Sequence, residues 1–364
     1  MTSSTCAAPF LYQNGVVSHS TNTPLITTFL DSNPGAYTTT RTHNNASSLL
    51  FWPQHLQRLS NSTTILVNSN PQFFFKNIIP TKQNPLSSLP QGVLDSKIKA
   101  LVNDSMKKVL PLALKERNDG EELAITALVS GDSEKLKKVE SLNRESDVID
   151  VIDVCLHIGK HVPLMFGVKG NHANLAVVGR GRDFAEAKYS DWVRLRKPLE
   201  KLRPPLVTEL LLSDDGDHIL EGCVTNFFVV CCKDSNEVKG DYFHNNNSKC
   251  PFKVQTAPIH AGILPGIMRQ LVIDVCLSKG IPVEEVAPSW SMQESWQEAF
   301  ITNSLRIMQH VEKIQVPSPW ESMEQKTLEQ VSWQEKHFQD GPGMITTIIQ
   351  KEIMEKACVE GWPF

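Results

Sequence analysis

A glutamate and an asparagine stand at the entrance to an apolar segment in the second half of the chain. Residues 220–228 read LEGCVTNFF, so Glu221 lies just ahead of Asn226, and Asn226 leads directly into the apolar run Phe227–Cys232. Apolar runs of this length, bounded by turn residues, are typical of buried strands. Burying a carboxylate there costs several kcal/mol or neutralises it unless a partner is supplied. A cationic ring nitrogen would be such a partner.

A second motif follows some forty residues later. Residues 263–269 read ILPGIMR and open a segment with helical apolar spacing that Lys279 and Gly280 should end. The amides at the N-terminus of a helix have no partner within the helix, and the helix dipole adds positive potential there. This terminus is therefore a candidate phosphate site, formed by the backbone of Ile267 and Met268.

Together these motifs resemble the class IV, or fold-type IV, pyridoxal phosphate (PLP) aminotransferases. That family includes D-amino acid and branched-chain aminotransferases and aminodeoxychorismate lyases. Its pattern is an acid, then Asn and an aromatic or aliphatic residue, then Leu-x-Gly-Ile-x-Arg, carried here by Glu221, Asn226, Phe227, Leu264, Gly266, Ile267 and Arg269. The resemblance runs from about Asn14 to the C-terminus, with insertions.

The resemblance implies an α+β fold with two domains. The smaller N-terminal domain would span 10–165 and the larger, PLP-binding C-terminal domain 170–364, with the cofactor in the cleft between them. It also implies a homodimer in which the partner chain closes each site.

Lys188 is the predicted catalytic lysine, which would form the Schiff base with PLP. It precedes Glu221 by 33 residues, and the family keeps very nearly that separation. Taken alone, a lysine is usually an exposed surface residue; with the resemblance, the catalytic role is favoured. Glu221 would keep the pyridine nitrogen protonated, so that the ring can accept electrons from the substrate. Asn226 is a cofactor contact or, equally, a residue that bonds the loop backbone.

Four positions are predicted to hold the cofactor phosphate. Arg58 lies in HLQRL, which resembles the family's His-x-x-Arg-Leu segment, and a guanidinium suits a phosphate dianion. The Ile267 and Met268 amides follow the family's glycine, although Met268 stands where a threonine is frequent. Ser304 belongs to a segment that matches the family's second phosphate loop and supplies a hydroxyl.

Substrate recognition departs from the family pattern. Several branches carry a carboxylate-binding arginine in or just after the strand that corresponds to 124–131, and this segment, AITALVSG, has none. Arg41 is a possible substitute, with Arg180 and Arg182 weaker ones. Tyr37 and the Leu305 amide are the other predicted substrate contacts.

Composition excludes other classes. The net charge is −4 with a pI near 6.3, which gives no general attraction to nucleic acid or anionic lipid. No apolar run approaches the length of a membrane span. The eight cysteines and eleven histidines show no metal-ligand spacing, so no metal is expected. Only eleven residues precede the first predicted hairpin, which begins at Tyr12, and this favours the cytoplasm.

The chain between the motifs predicts a mixed set of elements. Strands are expected at 12–17 (a hairpin), 35–42, 49–52, 123–129, 148–168, 209–220 (a hairpin), 281–286 and 299–301, and helices after Pro53 and at 93–115, 264–277 and 344–357. Residues 68–92, 131–147 and 233–250 are expected to be loops or connections, and 315–342 irregular.

Three functions remain open at this point. The favoured one is transfer of an amino group from a small amino donor to a 2-oxo acid. The same lysine would also serve an aminodeoxychorismate lyase-like elimination that releases pyruvate. The missing arginine and the insertions leave room for a degenerate PLP-binding scaffold without turnover.

Overall fold

The computed structural model describes residues 9–19, 23–76, 85–88, 90–138, 151–232, 251–320 and 330–363. They form two compact units, one drawn from Met1–Pro163, Glu186–Leu195 and Ala357–Phe364, the other from Leu164–Ala185 and Arg196–Lys356. The predicted division at 10–165 and 170–364 differs from this one in two segments. Residues 186–195 join the first unit because Tyr189 bridges Ala36, and the C-terminal end joins it because Trp362 pairs with Leu49.

The first unit contains one mixed sheet and its helices. The strands are β1 (Phe10–Gln13), β2 (Val16–His19), β3 (Ala36–His43), β4 (Ser48–Leu49), β5 (Phe75–Lys76), β6 (Glu122–Asp132), β7 (Ile152–His161) and β17 (Trp362–Pro363). The helices are α1 (Ile26–Ser32), α2 (Trp52–Ser69), α3 (Gln91–Glu116), α4 (Ser133–Lys138) and α5 (Trp192–Leu195). The order in the sheet is β17-β4-β3-β6-β7-β1-β2, and β5 runs parallel beside β6. The helix α2 packs against β3 and α3.

Local sequence explains the start of this unit. Asn14 and Gly15 both have positive φ, as a two-residue hairpin turn requires, and they join β1 to β2, which confirms the predicted hairpin. Pro53 occupies the first turn of α2, where its missing amide proton costs nothing. Leu56 and Leu59, a turn apart, are buried on one face of that helix.

The second unit contains a sheet that closes on itself. The strands are β8 (Ala173–Gly179), β9 (Glu209–Ser213), β10 (Ile219–Gly222), β11 (Asn226–Cys232), β12 (Phe252–Thr256), β13 (Val283–Glu285), β14 (Trp296–Asn303), β15 (Ile307–Pro317) and β16 (Trp333–His337). The helices are α6 (Lys197–Glu200), α7 (Ile267–Ser278) and α8 (Met344–Val359). The strand order is β10-β9-β8-β15-β14-β11-β12-β13, with β16 beside β15. The pair Glu221–Asn226 joins β10 to β11 and completes a ring. Within the ring, side chains such as Leu175, Leu211 and Phe227 form the apolar core.

Some predicted segments are wrong. Residues 68–92 are not a simple loop, because α2 continues to Ser69, β5 pairs with β6, and α3 begins at Gln91. The expected strand at 49–52 is shorter, since the helix already begins at Trp52. Residues 315–342 are not irregular throughout, because β15 and β16 pair there. The predictions for 233–250 and for most of 131–147 lie outside the described residues.

In the described part of the chain, no helix is both long enough and apolar enough to cross a membrane. The cysteines described there are free thiols, and most of them are buried.

Candidate active site

Lys188 lies at the edge of β3 in the first unit. Its carbonyl accepts a hydrogen bond from the Tyr37 amide at 2.9 Å, and its own amide donates to Ser62 Oγ at 3.1 Å. With the backbone held on both sides, Lys188 Nζ lies 4.6 Å from the centroid of the Tyr37 ring. An ammonium over an aromatic face is attracted by the ring quadrupole. The buried Tyr37 ring therefore orients the amine.

Arg58 lies close by on α2. Its Nη2 group donates to Thr38 Oγ1 at 2.9 Å, while its buried Nε has no hydrogen-bond partner among the described residues. Burial lowers the pKa of Arg58 to about 10, and the Tyr37 phenol opposes that shift. A buried cationic donor without an acceptor is costly, so this guanidinium is suited to an anionic ligand.

His55 shares the same hydroxyl. Its Nδ1 lies 2.8 Å from Thr38 Oγ1, and burial followed by the charges of Arg58 and Lys188 holds the pKa of His55 well below its ordinary value. Arg58 donates to the same Thr38 oxygen. His55 is therefore linked to Arg58 through the Thr38 hydroxyl.

Glu221 lies in the second unit, on β10, and is 1% exposed. Its Oε1 accepts from both Arg182 Nε, at 2.8 Å, and Arg182 Nη2, and its Oε2 accepts from the Leu264 amide at 3.1 Å. An ion pair in which two guanidinium N–H groups converge on one carboxylate oxygen compensates the charge of a buried carboxylate. Arg182 therefore holds Glu221 in place.

Asn226 stands opposite Glu221 across the β10–β11 pair, so both side chains lie on one face of the sheet. Its Nδ2 donates to Leu264 O at 3.0 Å and to Glu221 Oε2 at 3.4 Å. Gly266 makes this approach possible, since a Cβ on Gly266 would lie 1.9 Å from Asn226 Oδ1. Asn226 thus makes the bond to the loop backbone that was one of its two predicted roles; its contact with the cofactor stays a prediction.

The N-terminus of α7 follows directly. Gln270 N donates to Gly266 O, which makes it the first amide with a partner inside the helix. The amides of Ile267 and Met268 precede that bond, and Gly266 provides no side-chain cap. The geometry suits an anion at this helix end.

Ser304 and Leu305 lie in the turn between β14 and β15. Thr302, the neighbouring strand residue, pairs with Asn226 across β11 and β14. The Leu305 amide donates to Asn303 Oδ1 at 3.1 Å. Its predicted contact with the substrate carboxylate would have to compete with that bond.

Arg41 is 4% exposed on β3, on the same face of the strand as Tyr37. Its Nη1 donates to Thr42 O at 3.1 Å. Burial lowers the pKa of Arg41, and the Glu122 carboxylate opposes that shift. Substrate recognition by Arg41 stays a prediction, and an incoming carboxylate would compete with Glu122 for it.

Comparison with known proteins identifies the chemistry. The sequence model described as amino-transferase class IV matches residues 35–314.

The chain belongs to the class IV aminotransferase family. It is accordingly a PLP-dependent transaminase, and PLP is its cofactor.

Solved structures agree with the fold of this class IV aminotransferase. The branched-chain aminotransferase of Thermoproteus uzoniensis, determined with norvaline, is 17% identical, with 96% of this chain and 95% of that one covered and a TM-score of 0.57. The branched-chain enzyme of Escherichia coli is 16% identical (96% and 94% covered, TM-score 0.56). A hypothetical aminotransferase from Mycobacterium tuberculosis in its PLP-bound form is 13% identical (96% and 99% covered, TM-score 0.57). No curated protein sequence matches the chain.

The donors described above fit PLP. In the first unit, the orphaned Arg58 Nε suits an anionic group. In the second unit, the uncapped first turn of α7 suits a phosphate. The Glu221 carboxylate, buried and charge-compensated, suits a protonated ring nitrogen. No group of three or more metal-ligating side chains is arranged to hold a metal ion within the described ranges.

Sequence reasoning missed two positioning residues. Arg182 was considered only as a weak carboxylate ligand, whereas the structure pairs it with Glu221. Ser62, which holds the backbone of Lys188, carried no signal at all. Both contacts join residues far apart in sequence, so only the strand and helix packing reveals them.

Proposed function

We propose that the enzyme transfers an amino group from a small amino donor to a 2-oxo acid, with Lys188 as the residue that bonds PLP. The observation that carries this proposal is the Lys188 amine held over Tyr37 beside the cationic Arg58. Two hydrogen bonds fix the backbone of Lys188, and the Tyr37 ring holds its amine. Such a fixed amine is suited to act as a nucleophile.

PLP supplies an aldehyde that condenses with amines and a ring that takes up the electrons released when the neighbouring carbon loses its proton. The Lys188 amine would bond the aldehyde and would afterwards take up and return the proton at the substrate Cα. Glu221 would keep the ring nitrogen protonated, and Arg58, Ser304 and the amides of Ile267 and Met268 would hold the phosphate. We also propose a homodimer and a cytoplasmic location.

Borohydride reduction of the purified enzyme followed by peptide mapping tests the lysine. The reduced cofactor should appear on the peptide that contains Lys188, and Lys188→Ala should abolish both the label and the absorbance of the bound cofactor. Lys169→Ala, a change at an exposed lysine, is the control and should leave both unchanged. A label on another lysine, or on none, would refute the assignment.

The reaction is tested with a panel of amino donors of both hands and several 2-oxo acids. Conversion of the cofactor to its amine form by a donor, reversed by an oxo acid, is the expected result. Release of pyruvate without an acceptor would favour the lyase reaction instead. A stable cofactor absorbance that no donor changes would favour a scaffold without turnover.

A further inference from the structure

The turn between β14 and β15 differs from a bare phosphate loop. Asn303 Oδ1 accepts hydrogen bonds from the amides of both Leu305, at 3.1 Å, and Arg306, at 2.8 Å. An asparagine side chain that bonds the amides following it forms a compact Asx turn. The Leu305 and Arg306 amides are therefore already engaged, so a substrate carboxylate at this turn would draw on another donor.

Arg306 projects such a donor from the same turn. Its Nη1 lies 3.2 Å from Glu209 Oε2, and its side chain is 26% exposed against 2% for that of Glu209. A guanidinium has five N–H donors, and the bond from Arg306 Nη1 to Glu209 Oε2 occupies one of them. Since 26% of the Arg306 side chain is exposed, part of it is accessible to a ligand.

The surroundings of Glu209 are cationic. Burial raises the pKa of Glu209, and the charges of Arg306, Arg203 and Arg196 oppose that shift. Arg196 is itself bonded to Glu200 at 2.8 Å. The single buried carboxylate leaves positive charge over at Arg306 and Arg203, and positive charge in a partly buried place favours an anionic ligand.

A buried hydroxyl lies beside this pair. Thr225 is 5% exposed, and its Oγ1 has no hydrogen-bond partner among the described residues. A Cβ on Gly222 would lie 2.1 Å from Thr225 Oγ1 and 3.3 Å from Glu209 Cγ. Both side chains therefore pack against the same glycine. A buried hydroxyl without a partner is costly, which points to a ligand that supplies one.

The backbone at Arg306 is held in a strained shape. Ile307 has a φ of 63°, and the Met308 amide donates to Arg306 O at 2.8 Å, which closes a tight turn around Ile307. A β-branched residue with positive φ is uncommon and persists where the surrounding structure requires it. This tight turn follows Arg306 directly.

We propose that Arg306, assisted by the Thr225 hydroxyl, binds a carboxylate group of the substrate. The assignment rests on the proposed transaminase function and restricts the substrate class to carboxylate-bearing amines and oxo acids. It explains how the enzyme manages without an arginine in 124–131.

The test compares ligands with and without a carboxylate. Alanine of either hand and ethylamine differ in that group, and propanoate is an unreactive carboxylate probe whose binding is measured by ligand-observed NMR. Arg306→Gln should raise the half-saturating concentrations of alanine and propanoate about 10- to 100-fold, because one charge-assisted contact is lost. The half-saturating concentration of ethylamine, which has no carboxylate, should stay unchanged.

Two further variants keep the test interpretable. Glu209→Gln combined with Arg306→Gln leaves a neutral pair if the single variant folds poorly, and it should show the same loss. Arg194→Gln, which changes an exposed arginine of the first unit, is the control and should change the half-saturating concentrations of alanine and propanoate less than about twofold.

Unchanged binding of propanoate and an unchanged ratio of alanine to ethylamine in the folded Arg306 variants would overturn the assignment. Loss of propanoate binding in an enzyme that transfers no amino group would support this carboxylate site and reject the proposed transfer. The two proposals can thus fail separately.

Discussion

Arg182→Ala is the sharpest test of how the site is held together. The change removes the guanidinium that forms an ion pair with Glu221, and both side chains are nearly inaccessible, at 5% and 2% exposure. The carboxylate would keep its bonds to Leu264 N and Asn226 Nδ2. It would lose its charge partner and both donors to Oε1.

The expected loss of stability follows from these contacts. Removing one partner of a buried ion pair costs roughly 3–5 kcal/mol. Because half of the donors to Glu221 remain, we expect the lower end, about 3 kcal/mol, or on the order of a hundredfold in the folding equilibrium. Arg182→Lys keeps the positive charge but not the two guanidinium donors, so it should lower the stability less than Arg182→Ala does.

Denaturant unfolding of the enzyme measures the effect. A double-mutant cycle with Glu221→Gln isolates the pair, and the coupling energy should be at least about 1.5 kcal/mol. Arg180→Ala, two residues earlier and exposed, is the matched control and should stay within about 0.5 kcal/mol of the parent. The reasoning would be refuted if Arg182→Ala lowered the free energy of unfolding no more than Arg180→Ala does. A double-mutant cycle with no coupling energy between Arg182 and Glu221 would refute it as well.

Three further outcomes are expected. Gly266→Ala places a Cβ 1.9 Å from Asn226 Oδ1, so it should destabilise the fold by about 1–3 kcal/mol and weaken PLP retention, as measured by unfolding and by cofactor titration. The hydrogen bond to the Asp215 carboxylate raises the pKa of His218 above its ordinary value of 6.5. This pair therefore stabilises the fold below pH 6.5, and its contribution is lost as the pH rises through the raised pKa. His218→Asn should flatten that part of the plot of melting temperature against pH. Glu122 Oε1 accepts from the Asn45 amide, and Oε2 accepts from the Ala46 amide and the Thr42 hydroxyl. Glu122→Gln replaces one of these oxygens with a donor, and denaturant unfolding should show a loss of about 1–3 kcal/mol.

Much of the fold could be predicted because its signals are local. The Asn14-Gly15 turn, Pro53 at a helix start and Gly280 after a helix end each act through their own φ angles or missing groups. The strands of 315–342 could not be predicted in this way. They become strands by pairing with each other and with β8, and such pairing has no local signature.

The candidate site divides along the same line. Glu221 and Asn226 are five residues apart, so one hairpin-like pair brings them together, and their association is readable from the chain. Arg182 reaches Glu221 across 39 residues and through the register of three strands. Two arginines flank Gly181, and only the register decides which of them is used.

Lys188 belongs to the first unit although the segments on both sides of it, Leu164–Ala185 and Arg196–Lys356, belong to the second. A gene cut after Pro163 would therefore leave eighteen residues of the first unit, 186–195 and 357–364, on the other fragment, and Lys188 would be among them. Neither half could be exchanged between enzymes as one continuous cassette, so recombination of this scaffold requires at least two crossover points around residue 188.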